Sequence, residues 1–170
     1  MFEIGSMVIY GIEGVCKIID VSNMTFDGIN ESREYYILVP TSNPTHKVYV
    51  PVDSEILVSK MQMLLTYDEI MLLVNEESKE IEWINDNKTR NKKFKEIISS
   101  YDRRKIIMLA KLIYRAKCGK IDGVKKIYAS DEEILKKLVR ILHSELSYVI
   151  SIEEQYILPF INGEVDFPKK

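Results

Sequence analysis

The chain has 170 residues, enough for one ordinary domain or two small ones. Its 46% hydrophobic and 29% charged residues are those of a globular chain, and no apolar run approaches the roughly 18 residues that a membrane span needs. Cys16 and Cys118 lie far apart and His46 and His143 show no ligand spacing, which argues against a zinc site and a disulfide framework.

The net charge of −2 conceals a division. Residues 1–82 carry 5 basic and 14 acidic side chains, net −9; residues 83–148 carry 17 and 8, net +9; residues 149–170 carry 2 and 4. Such a division points to two surfaces with different partners, one of them polyanionic. Met1-Phe2-Glu3-Ile4-Gly5 has neither the basic region nor the apolar stretch of a secretory signal, so a cytoplasmic location is expected.

Short β-branched and aromatic runs open the chain: Met7 to Tyr10, Val15 to Val21, Glu34 to Val39 and Lys47 to Pro51. They read as strands, separated by turn chemistry at Gly11 to Gly14, Asn23 to Ser32 and Thr41 to Thr45. Four or five strands without an intervening helix indicate an antiparallel meander closing into a small barrel. After Pro51 the apolar period becomes 3.6. Thr66 with Glu69 forms a capping box for a helix through Val74, and Asn91 to Ser99 is helical with Phe94, Ile97 and Ile98 inward. Asp102 starts a longer helix with Ile106, Leu109, Ala110, Ile113 and Ala116 on one face, stopped by Gly119. Ser130 with Glu133 opens another, lined by Ile134, Leu135, Leu138, Leu142 and Leu146, and Ser151 with Glu154 opens the last. The expected architecture is α+β in two domains: an antiparallel β-barrel over 1–58 and an all-α bundle over 59–170.

Trp83, the one tryptophan, lies in a polar segment between Glu80-Ile81-Glu82 and Asn85-Asp86-Asn87-Lys88. Two readings fit: an indole covering a seam between helices, or one that wedges at a distorted base step. Around it Lys88, Arg90, Lys92, Lys93 and Lys95 form a cluster, and Arg104, Lys111 and Arg115 share one side of the long helix. Such a surface holds phosphates without reading bases, whereas a merely solvated helix face is the plainer alternative. In the acidic half, Lys17, Arg33 and Lys47 are among the few cations, and Tyr35 and Tyr36 point to opposite faces of a strand, so that one must be outward. The Asp and Glu residues form no acid–base pair, no Ser-His-Asp or Cys-His combination is readable, and no phosphate-binding GxxxxGK[ST] is present. The chain therefore reads as a non-enzyme without cofactor or small-molecule substrate. His143 and Cys118 read as structural.

Phe2-Glu3-Ile4-Gly5-Ser6-Met7-Val8-Ile9-Tyr10, followed by Gly11 to Ile19, resembles the F-x-x-G-D-x-V-V-Y-x-x-x-G-x-G-x-I opening of the CarD-like family, bacterial transcription regulators that bind RNA polymerase. Val50-Pro51-Val52 matches that family's (I/V)-P turn, and Trp83, the basic stretch, the long helix and Leu142 to Leu146 follow the order of its C-terminal half. The resemblance implies a Tudor-like or SH3-like barrel on the polymerase β subunit, through Lys17, Arg33, Tyr36, Lys47, Tyr49 and Pro51. It further implies a helical domain that holds promoter DNA at the upstream edge of the bubble, stabilising the open complex; the expected contacts are Trp83 and the cations read above, Lys88, Arg90, Lys92, Lys93, Arg104, Lys111 and Arg115, and a monomer is expected. Two positions depart from the pattern: Tyr49 stands where relatives have arginine, and Glu132-Glu133 where they have Lys-Arg. The alternative is a polymerase-binding adaptor whose helices dock another protein.

Overall fold

Short β-branched and aromatic runs form strands in the first third of the chain, and the computed structural model, which describes residues 2–25, 32–77 and 80–168, pairs them into one sheet. β1 (Met7–Tyr10), β2 (Gly14–Met24), β3 (Arg33–Pro40), β4 (Val48–Pro51) and β5 (Met61–Met63) lie in the order β4-β3-β2-β1-β5, all antiparallel. β2 is the long strand that joins the two halves of the sheet, with a bulge between Ile18 and Asp20. One face packs Val8, Cys16, Ile18, Tyr36, Leu38, Val50 and Met61 into a core of its own. The turn expected at Asn23 to Ser32 falls largely outside the described residues, since 26–31 are not among them.

The barrel expected from the sequence is an open five-stranded sheet: among the described residues β4 and β5 do not pair. Both are short, four residues and three, and Pro51 at the end of β4 has no N–H to contribute to a closing ladder. The helical period expected from Pro51 onward is likewise interrupted. After a single helical turn, α1 (Glu55–Val58), the chain returns to the sheet as β5, pairing Met61 with Tyr10 and Met63 with Val8. The chain accordingly divides into two units, Met1–Leu64 and Leu65–Lys170.

The second unit is helical: α2 (Tyr67–Asn75), α3 (Asn87–Ser99), α4 (Arg103–Lys117), α5 (Ala129–Ile150) and α6 (Ile157–Ile161). Side chains start the first three. Thr66 accepts from the Glu69 amide while the Glu69 carboxylate accepts from the Thr66 amide; Asp86 accepts from Thr89 and Asp102 from Lys105. The apolar faces expected of α3, α4 and α5 are the buried ones, and they meet in a core that includes Ile70, Phe94, Leu109, Ile113, Leu138 and Phe160. Each such side chain contributes about 1.5–3 kcal/mol by leaving water. No helix among the described residues is long and apolar enough to cross a membrane.

Two expected caps are replaced. α5 begins one residue before Ser130, and its first turn is closed by the Asp131 carboxylate, which accepts from the Tyr128 amide at 2.9 Å. Ser151 does not open a helix with Glu154; it ends α5 in a left-handed conformation at φ 56°, donating its amide to Ser147. A Ser-x-x-Glu spacing marks a start only where the preceding chain is extended, and here α5 runs directly into it.

Candidate nucleic-acid interface

The stretch 81–86 has no regular structure, and what holds it is the side chain of Arg90, reaching back from the first turn of α3. Arg90 is 1% exposed. Its Nε and Nη2 donate to Asp131 Oδ1 and Oδ2 at 2.9 and 2.8 Å, its Nη1 to the carbonyls of Ile84 and Asn85 at 2.7 and 3.2 Å, and its Nη2 also to Asn87 Oδ1 at 2.9 Å. Five donor bonds therefore tie the segment to α3 and α5. The face of the guanidinium covers the Trp83 ring at 4.4 Å, and Phe94 meets the same indole edge-on at 6.2 Å. Trp83 is thus half-buried: packed on the helical core along one side, open to a surface cavity on another.

The sequence reading gave Arg90 to DNA, and the structure corrects this. All of its donors are used inside the protein, so it positions Trp83 and contacts nothing outside. Arg104 is also spoken for, as it forks onto the Glu76 carboxylate at 2.5–3.0 Å and pairs with Glu80. Lys111 turns inward to cap α2, donating to the carbonyls of Val74 and Glu76, and partial burial together with nearby Arg115 lowers its pKa. The i, i+7, i+11 spacing did place Arg104, Lys111 and Arg115 on one side of α4. That side packs against the acidic segment after α2, leaving Arg115 as its exposed member.

What remains outward is α3. Lys88, Lys92, Lys93 and Lys95 are all exposed on the helix that starts beside Trp83. Counted by structural unit, the charge division is milder than the sequence halves implied: the sheet unit holds 4 basic and 8 acidic residues, net −4, and the helical unit 20 and 18, net +2. Glu76 and Glu80, assigned by sequence to the acidic half, belong to the helical unit and neutralise Arg104 there. Glu132, one of the two departures in the first turn of α5, pairs with Lys117 at 3.4 Å.

The cavity beside Trp83 was not legible from the sequence. It measures about 480 Å³, and its walls include Trp83, Arg90, Tyr128, Lys125 and Lys126. Tyr128 is 57% exposed and stands 5.6 Å from the Arg90 guanidinium. The only local signal was the Lys125-Lys126-Ile127-Tyr128 run, cations beside an aromatic immediately before a helix. Among the described residues no group of His, Cys, Asp and Glu is arranged to hold a metal ion.

In the sheet unit, Lys17 and Lys47 are exposed, and Arg33 is exposed but paired with Asp53 at 2.8 Å. Tyr49 and Pro51 are half-buried on β4, an edge of the sheet. Tyr36, assigned to an external partner, is 1% exposed: its hydroxyl accepts from the Phe2 amide at 3.2 Å and its ring meets Phe2 edge-on. Tyr35, which should then have been outward, is also buried at 7%. Both faces of β3 are therefore covered at this point.

Residues 2–62 match the family model described as CarD-like/TRCF RID domain, which coincides with the sheet unit almost residue for residue. The chain carries a CarD-like/TRCF RID domain. The resemblance read from the Phe2 to Tyr10 motif is borne out over residues 2–62, and that motif supplies both β1 and the Phe2 contact that seals Tyr36. Within this CarD-like domain Lys17 and Lys47 are exposed cations, and β4 lies at one end of the sheet. No curated protein matches the chain.

Proposed function

We propose that this chain is a transcription regulator that docks on the β subunit of RNA polymerase through its CarD-like domain and holds promoter DNA at the upstream edge of the bubble through its helical unit. The match over residues 2–62 carries the polymerase half of the reading. The β4 edge, with Tyr49 and Pro51 on it and Lys47 beside it, offers strand pairing to the partner, and Lys17 and Arg33 offer cations. The DNA half is supported by a half-exposed indole held from beneath by Arg90, next to four outward lysines. Phosphates bind the lysines without base readout, so DNA affinity is salt-sensitive and weakly sequence-specific. Docking on polymerase raises the local concentration of this weak site at the promoter. If the site holds opened DNA better than closed, the open complex gains tenfold in population per 1.4 kcal/mol of difference.

Trp83→Ala tests it: polymerase pull-down unchanged, open-complex lifetime shortened. An unchanged lifetime would refute the role of the indole. A second reading, in which the helices dock another protein, draws on the internal neutralisation of Arg104 by Glu76 and Glu80. A gel shift of the full chain with fork-junction DNA at two salt concentrations separates the two, since only the first requires salt-sensitive binding.

A further inference from the structure

The cavity beside Trp83 has a composition that a simple wedge does not need. A wedge inserts one aromatic edge between stacked bases and requires no second ring and no cavity beside it. Here two aromatic side chains, Trp83 and Tyr128, flank a space of about 480 Å³, with Lys125 and Lys126 on its rim. The Arg90 guanidinium, also in the wall, stands 4.4 Å from the Trp83 ring and 5.6 Å from that of Tyr128 and is saturated by its internal acceptors. Buried and with its donors used, it holds the wall in place and is not a phosphate ligand. Tyr128 is 57% exposed although its own amide is tied to Asp131, so an aromatic ring is presented to solvent by a fixed backbone.

Planar π-faces, cations at the mouth and a small-ligand volume match the chemistry of one nucleotide out of its stack: a flat base and a phosphate. We propose that the Trp83–Tyr128 cavity takes a single unstacked nucleotide of a DNA strand, its base against the two rings and its phosphate at Lys125 and Lys126. Stacking on aromatic side chains serves any base, because every base has a π-face. A base already unpaired costs least to seat, so the cavity selects distorted or opened DNA over intact duplex. This rests on the reading that the helical unit contacts DNA and names the species it captures.

The test uses the full chain and two short duplexes, fully matched or with one unpaired thymine, followed through the emission of the lone tryptophan. The bulged duplex is expected to bind about fivefold or more tighter than the matched one, the lower end of what stacking one base contributes, and to quench Trp83. Tyr128→Ala should abolish that preference while leaving matched-duplex affinity within about twofold, a change too small to register as a lost contact. Tyr128→Phe, which keeps the ring, should retain the preference. Equal affinity of the wild type for both duplexes, or a Tyr128→Ala loss common to both, would overturn the cavity assignment while leaving DNA binding intact. Absence of binding to either duplex would overturn the DNA reading as well. Thymidine monophosphate alone binding as tightly as the bulged duplex would assign the cavity to a soluble nucleotide and overturn its assignment to a strand.

Discussion

Arg90 and Asp131, 41 residues apart in sequence, meet edge to edge through two parallel bonds of 2.9 and 2.8 Å, with 1% and 0% of their surfaces in solvent. Neither charge tolerates the loss of the other, because an unpaired ion in that position has no water to turn to. Asp131→Ala is expected to destabilise the helical unit by about 3–5 kcal/mol. The double variant Arg90→Met with Asp131→Leu should recover a large part of that loss, since no lone charge remains. Urea unfolding followed by circular dichroism decides it; a double variant as unstable as the sum of the singles would show that the pair is not the cause. Because Arg90 also backs the indole, Trp83 emission in Asp131→Ala should shift to the red under native conditions.

The two groups of cations should separate in their salt dependence. Lys92→Ala and Lys93→Ala are each expected to reduce the slope of log affinity for DNA against log salt by about one, as the loss of a phosphate contact does. Arg104→Ala should leave the slope unchanged, its guanidinium being committed to Glu76 and Glu80. Titrations at three salt concentrations measure both, and a slope change for Arg104 would mean that DNA displaces the acidic segment.

The two thiols differ enough to be told apart chemically. Burial, aided by Glu13, pushes Cys16 up to about 11, whereas Cys118 is exposed at the end of α4. At pH 8 roughly one Cys16 in a thousand is thiolate, and it is also sealed in the sheet core. A chromogenic disulfide reagent should titrate one thiol in the native protein and two in denaturant. Two fast thiols in the folded protein would show that the sheet opens readily.

The helical unit should weaken in acid. Glu69, Glu76, Asp86 and Glu164 are held below the ordinary carboxylate range by hydrogen bonds from Thr66, Arg104, Thr89 and Lys120 with Tyr114 respectively. A carboxylate with a lowered folded pKa contributes stability that is present above its unfolded pKa and lost as pH falls through the folded one. Denaturation midpoints should therefore fall progressively below pH 4.5. At the other end, the Glu164 carboxylate pushes Tyr114 up to about 12, so the stability from that bond is intact below pH 10 and lost as pH rises through 12. Tyr114→Phe should flatten the alkaline limb and, on the acid side, remove only the Tyr114 share of the Glu164 contribution, leaving those of Glu69, Glu76 and Asp86 in place.

Local chemistry made much of this protein readable from its residues. Short β-branched and aromatic runs specify strands, 3.6-residue spacing specifies the buried faces of α3, α4 and α5, and Thr66 and Asp102 sit where helices can start, because these signals act within a few residues of chain. The Phe2 to Tyr10 motif pointed to the CarD-like domain for the same reason, being a contiguous strand with its lead-in. What the sequence could not determine is which charges are spent internally. Arg90, Lys92 and Lys93 are near neighbours in one basic cluster, yet one is sealed under an indole by an aspartate 41 residues away and the others face water. Likewise Tyr35 and Tyr36 are both covered, β5 rejoins the sheet from within an apparently helical stretch, and Tyr128 comes up beside Trp83. Each depends on contacts between distant segments, and only the packed chain brings those segments together.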